Sequence, residues 1–179
     1  MRDNVGARGI LFGIRSKIGG RQWKFPTQKN GVSVRAYQED AMTLLAFDLD
    51  QSKTKNFAGF SVPITPGPRK RYYLTNLLTY PAAILKKNNI KPENAHSTFF
   101  SPIQKFCWVH VPATFHQIEQ PFYGTYKYEV TPRYMANEIL QPLDHSLTVP
   151  VQIDVGPYRS GSRGASSSRR PTRTFRKQQ

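Results

Sequence analysis

Two neighbouring stretches restrict the fold most: Ser101-Pro102-Ile103-Gln104-Lys105-Phe106-Cys107-Trp108-Val109-His110-Val111-Pro112 and Pro121-Phe122-Tyr123-Gly124-Thr125-Tyr126-Lys127-Tyr128-Glu129-Val130-Thr131-Pro132. Both are rich in aromatic and β-branched side chains, which suit a pleated, half-buried surface. Both are also bounded by prolines, which lack the N–H that a central ladder needs. They read as strands and signal an antiparallel sandwich. Trp108 is expected to be the large core residue of the first, with Phe106 beside it on the same face. Tyr126, Tyr128 and Val130 alternate inward from the second.

The same period of two runs through the chain from Val32 and is clearest at its end. Leu147, Val149, Val151, Ile153 and Val155 share one face, with Thr148, Pro150, Gln152 and Asp154 on the other. That alternation is a half-buried strand, and Pro150 places it at a sheet edge or a bulge. Further strands are expected over 32–37, 42–48, 57–64 and 71–77, divided by Glu-Asp, Ser-Lys-Thr-Lys-Asn and Pro-Gly-Pro punctuation. Seven short strands with mostly hairpin-length gaps favour an all-β, immunoglobulin- or fibronectin-like antiparallel β-sandwich over a barrel. Residues 79–101 form a long connection, with one short helix expected over 81–87, opened by Pro81 and ended by Asn88-Asn89.

Charge divides the chain into three. Residues 1–30 hold seven Lys/Arg against one Asp, residues 157–179 hold seven and no acid, and residues 31–156 hold twelve against ten. A flexible basic leader (1–30) and a disordered Arg/Ser-rich tail (157–179) are therefore expected around one sandwich domain (31–156), with polyanion affinity in the arms. The contacts would come from Arg159, Arg163, Arg169, Arg170, Arg173, Arg176 and Lys177. A solubilising tail is the plainer alternative. In the leader, Ile10, Leu11, Phe12, Ile14 and Ile18 are interrupted by Gly13, Arg15, Lys17, Gly19 and Gly20, which leaves no apolar run of the secretory type. No run approaches the ~18–20 apolar residues that span a bilayer. The single Cys107 cannot form an internal disulfide, so a cytoplasmic location is the expectation.

The segment from Ala36-Tyr37 through Met42-Thr43-Leu44-Leu45-Ala46-Phe47-Asp48-Leu49-Asp50 to Ala58-Gly59-Phe60 resembles the opening of the N-terminal β module of bacterial phospholipase D-like proteins. Pieces at 101–112, 122–134 and Leu140-Gln141-Pro142-Leu143-Asp144 follow in matching order, so that the resemblance spans roughly 32–158. It implies a noncatalytic β domain that precedes two catalytic repeats carrying His-x-Lys-x4-Asp, in which one His attacks phosphorus and its partner protonates the leaving group. None of the four histidines, His96, His110, His116 and His145, has Lys two residues on. The resemblance ends after Tyr158, where a truncated form or a standalone variant with a basic tail would both give such an ending; the truncated form is the expectation.

Other chemistry is poorly supported by the sequence. Cys107 and His110 lie three apart on a strand and so face opposite ways, which argues against a shared zinc shell with His116. A core cysteine and two loop or edge histidines are expected instead. Glu39, Asp40, Asp48 and Asp50 are acidic but match no dedicated cation loop, and read as solvated turn acids. There is no phosphate loop and no strand-turn-helix nucleophile elbow. No catalytic, metal or cofactor residue is assigned and no cofactor is implied. The expected function is that of a noncatalytic scaffold or targeting domain, whose partner would be a phospholipase D-like catalytic domain. The alternative is a small basic protein that binds nucleic acid or anionic membrane, weakly and without sequence preference, through its arms.

Overall fold

A computed structural model describes residues 16–18, 21–23, 26–39, 42–112 and 122–156, with 16–18, 21–23 and 39 given by backbone alone. The tail residues named above lie outside the described residues, as do His116 and Asp40. The chain is all-β and every strand pair is antiparallel among the described residues, the arrangement that half-buried alternation favours. Its strands are β1 (Ser16–Ile18), β2 (Arg21–Trp23), β3 (Thr27–Lys29), β4 (Val32–Glu39), β5 (Met42–Leu49), β6 (Phe57–Ser61), β7 (Pro63–Pro66), β8 (Tyr72–Tyr73), β9 (Cys107–His110), β10 (Gly124–Ala136), β11 (Ile139–Leu140) and β12 (Val149–Val155), with helix α1 (Ala82–Lys87) between β8 and β9.

One sheet runs β1-β2-β4-β5-β9, and β3 also pairs with β4. In the other, β10 pairs with β12, β7, β6 and β11, and β8 pairs with β7. Val32, Val34, Leu45 and Phe47 from the first sheet join Phe60, Val62, Ile64, Tyr126, Tyr128, Val130, Val151 and Ile153 from the second in one hydrophobic core. Full burial of an aliphatic or aromatic side chain of this kind contributes about 1.5–3 kcal/mol, so this shared core is the main source of stability. The inward alternation expected for Tyr126, Tyr128 and Val130, and for Leu147 through Val155, is what is found.

Several expectations change at the level of single elements. Pairing begins before residue 31, because Thr27–Lys29 of the expected leader aligns with Val32–Val34. The strand expected over 57–64 divides at Val62 into β6 and β7. The two proline-bounded stretches lie in different sheets, and the first contracts to β9, with Ile103 making an isolated bridge to Phe60. The second runs through Pro132 instead of stopping there. Pro132 sits opposite Phe60, whose own N–H and C=O bond to Ile103, so the pair makes no ladder bond. On the other side of β10 the β12 ladder has already ended at Val130 and Val149, and no donor is missed. Trp108 faces inward opposite Leu45 but is only half-buried, so it is not the dominant core side chain; Phe60, Tyr126 and Tyr128 are. Phe106 precedes β9 and is 46% exposed, although its ring still meets Phe57 and Phe60.

The outward positions of the second sheet are not all wet. Ser61, Thr131 and Arg133 alternate away from the core yet are buried, because residues 96–103 and 141–148 fold over them. Ser61 Oγ donates to Thr98 O at 2.6 Å, and Thr131 and Thr148 share a hydroxyl bond at 2.8 Å. Arg133 Nη1 donates to Phe99 O at 2.7 Å and to Ser61 Oγ at 3.2 Å, Nη2 donates to Gln141 O at 2.7 Å, and the guanidinium lies over the Phe99 ring. Asn76 Nδ2 donates to Ser101 O and Pro102 O, tying both ends of the connection together. Gly59 permits the close crossing: its φ is +129°, and a Cβ there would stand 2.7 Å from the Ile103 carbonyl oxygen. Helix α1 forms where expected, with Pro81 as its N-cap and Asn88 as its C-cap. Asn88 fixes it to the β10–β11 hairpin by donating to Glu138 O and accepting from Leu140 N.

Candidate functional site

The two-histidine phosphodiester chemistry of the resembled repeats needs a pair of imidazoles facing a common space, and the three described histidines, His96, His110 and His145, sit in separate places. His110 is enclosed between the sheets, with Nδ1 2.8 Å from Tyr128 Oη and Nε2 3.5 Å from Tyr72 Oη. Burial pushes its pKa down to about 4, so that at neutral pH it is an uncharged imidazole held by phenols. The same burial raises the Tyr128 phenol. His96 Nδ1 donates to Asn76 O at 3.0 Å, which ties it to the connection between β8 and β9. His145 opens a 3-10 turn before β12 and is exposed.

The faces of Cys107 and His110 do oppose, but in the reverse sense to expectation. Cys107 is exposed on the outside of the first sheet, and His110 is the buried partner. The acids also separate, since Asp48 aligns with Ser33 whereas Glu39 aligns with Met42 at the far end of the same hairpin. Among the described residues no three His, Cys, Asp or Glu side chains converge as a metal site would require. A surface cleft of about 380 Å³ is lined by Phe57, Ala58, Gly59, Tyr80, Gln104 and Met135. Its one ionisable group, Tyr80, donates to Ala58 O at 3.4 Å and has its pKa raised by burial.

The most concentrated chemistry among the described residues is basic, and it lies on the fold itself. The turn between β7 and β8 reads Pro66-Gly67-Pro68-Arg69-Lys70-Arg71. Gly67 N donates to Thr125 O, which holds the turn against β10, and the Phe122 ring fills the space beside Gly67 and Gly124 that a Cβ would need. Arg69 stacks over that ring, 5.3 Å from its centroid. Arg71 reaches Glu129 at 2.9 Å, and Lys127 meets the same carboxylate at 3.0 Å. Lys70 is exposed, and Tyr123 presents a ring that is 46% exposed. Val155 aligns with Gly124, so β12 ends at the same edge of the sheet as the start of β10. The cation triplet directly after Pro-Gly-Pro was the sequence signal for this turn; its meaning depends on Phe122, Tyr123 and the end of β12, which pairing alone brings to it.

No family model, curated protein or solved structure matches the chain.

Proposed function

We propose that the chain is a noncatalytic, immunoglobulin-like β domain that acts as a scaffold or targeting module, the role implied by its resemblance to the N-terminal part of phospholipase D-like proteins. The pairing order supports the fold. Numbering the seven expected strands in sequence, the first, second and fifth share one sheet and the third, sixth and seventh the other, as the A-B-E and C-F-G strands do in immunoglobulin domains, with the fourth joined to the third. A phospholipase D-like catalytic domain is the proposed partner and the cytoplasm the proposed location; no helix among the described residues is long and apolar enough to cross a membrane.

The observation that carries the noncatalytic reading is the state of His110. A nucleophilic or general-acid imidazole must reach substrate, and this one is enclosed by Tyr128, Tyr126 and Tyr72. The test is phosphodiester turnover by the full chain on phosphatidylcholine and on bis-nitrophenyl phosphate. No turnover is expected, and a rate abolished by changing any one histidine would overturn the reading.

A second reading, polyanion binding by the basic termini, is favoured by one specific observation. The folded body itself carries Arg69, Lys70 and Arg71 on a turn held to Thr125, next to the Gly124–Val155 pair at which β12 ends. Affinity for nucleic acid or anionic membrane is then expected to be weak, independent of sequence and steeply dependent on salt.

A further inference from the structure

We infer that β9 is a self-association edge, at which a second copy of this chain adds its own β9 antiparallel and joins two first sheets into one. This association is independent of both the scaffold and the polyanion readings. Among the described residues β9 lies at the end of its sheet and pairs only with β5. Phe47 N donates to Phe106 O at 2.8 Å, which makes Phe47 and Phe106 a hydrogen-bonded pair. Antiparallel ladders alternate, so Trp108 and His110 also turn their backbone groups toward β5, while Cys107 and Val109 turn theirs away. No hydrogen bond among the described residues takes up those outward N–H and C=O groups.

Open edges are usually blunted by proline, lysine or a bulge. β12 carries Pro150, and the side of β6 away from β10 is taken at Phe60 by Ile103. Cys107-Trp108-Val109-His110 has none of these, and its register with β5 runs without a shift. An open edge accepts any extended strand, but the pattern of this one favours a second copy. Its outward positions sit symmetrically about Trp108, so a two-fold axis there aligns Cys107 with Val109 of the second copy and Val109 with Cys107 of the second copy. Each such pair exchanges both N–H···O bonds. Trp108 then meets its counterpart in a non-hydrogen-bonded pair, where side chains approach most closely. Its ring packs against the core yet stays only half-buried, and the pairing would cover the rest. On the outer face, exposed Val109 stands beside exposed Leu44, and the row continues across the seam to Cys107 and Ala46 of the second copy. Lys105 falls opposite Val111 of the second copy, so no cation meets its own image.

The experiment is sedimentation equilibrium of the full chain over a concentration series, with circular dichroism of each variant to confirm the fold. The wild type, 20.5 kDa as a monomer, should approach twice that mass as concentration rises. Val109→Pro should stay monomeric with an unchanged β spectrum, because the proline removes an outward N–H that the β5 ladder does not use. Val109→Lys should stay monomeric by charging the edge, and it decides the matter if proline disturbs the strand. Leu44→Ser, on the outer face of β5, should still dimerise. In the wild-type dimer Cys107 lies diagonal to its counterpart, about 7–8 Å away, so a bis-maleimide of similar span should link the two copies. A wild type that is monomeric at about 1 mM, a dimer that persists in both Val109 variants, or a dimer that the bis-maleimide does not link would overturn the inference. So would a dimer lost in Leu44→Ser and kept in Val109→Lys, which would place the contact on the outer face of the first sheet.

Discussion

The two faces of the second sheet are closed by different chemistry. Its inner face meets the first sheet through Phe60, Ile64, Tyr126, Tyr128 and Val130, an apolar seam. Its outer face, over the β6–β10 half, is closed by Ser61, Thr131 and Arg133 with Asn76 and Thr98 of the connection, all of them polar and buried. An apolar seam tolerates small shifts because it is non-directional. A polar seam depends on matched donors and acceptors, since an orphaned group costs its desolvation, and this one already leaves Arg133 Nε and Ser101 Oγ buried without a partner. The inner face should therefore carry most of the stability, and the outer face should decide whether residues 74–103 hold one conformation.

That contrast can be broken most directly at Phe60, which is fully buried against Phe47, Phe57 and Phe106. Phe60→Ala should cost about 3–5 kcal/mol, read by urea unfolding of the full chain. A loss below about 1 kcal/mol would show that the two sheets do not share the core. On the outer face, Arg133→Met keeps the volume but removes the donors to Phe99 O, Gln141 O and Ser61 Oγ. We expect a loss of about 2–4 kcal/mol, with proteolytic cleavage appearing within 74–103 before it appears elsewhere.

The seam between the sheets also contains a titratable group. His110 is held near 4 in the folded chain, below its ordinary value, so the unfolded state binds the extra proton first as pH falls. Stability should decline from about pH 6.5 toward pH 4, by about 3 kcal/mol across that window, and His110→Gln should flatten that share of the decline. An unchanged slope in the variant would place the imidazole in water. The smallest effect belongs to the surface: Lys87 pairs with Glu138 at 2.7 Å with both groups well exposed. Lys87→Ala should leave Tm unchanged within error, as isolated exposed pairs do.

The inner face was legible in the sequence because alternation encodes it. Tyr126, Tyr128 and Val130, and the odd positions from Leu147 to Val155, fell where the period of two placed them. The helix was legible from Pro81 and from Asn88-Asn89. The outer face was not legible, because Ser61, Thr131 and Arg133 occupy positions that alternation marks as solvent, and only the fold-over of residues 96–103 and 141–148 buries them. Pro132 misled for a related reason: whether a strand proline loses a bond depends on which neighbour its nitrogen faces. The exchange of roles between Cys107 and His110 has the same origin, since spacing showed that they oppose but not which faces the core. The Arg69-Lys70-Arg71 turn was missed, because the sequence reading placed polyanion contacts in the terminal arms and the neighbours of this turn come to it only through strand pairing.

Hydrogen exchange of the full chain, resolved by residue, tests the central contrast most directly. The amides of Asn76, Thr98 and Ile103 donate to His96 O, Leu74 O and Phe60 O, and should exchange almost as slowly as those of β4 and β5. In Arg133→Met they should speed up by at least tenfold, while Val34 and Leu45 keep their protection. Fast exchange at Asn76 and Thr98 in the wild type would contradict the account, because the connection would then be an ordinary mobile loop and the second sheet would be buried on one face only.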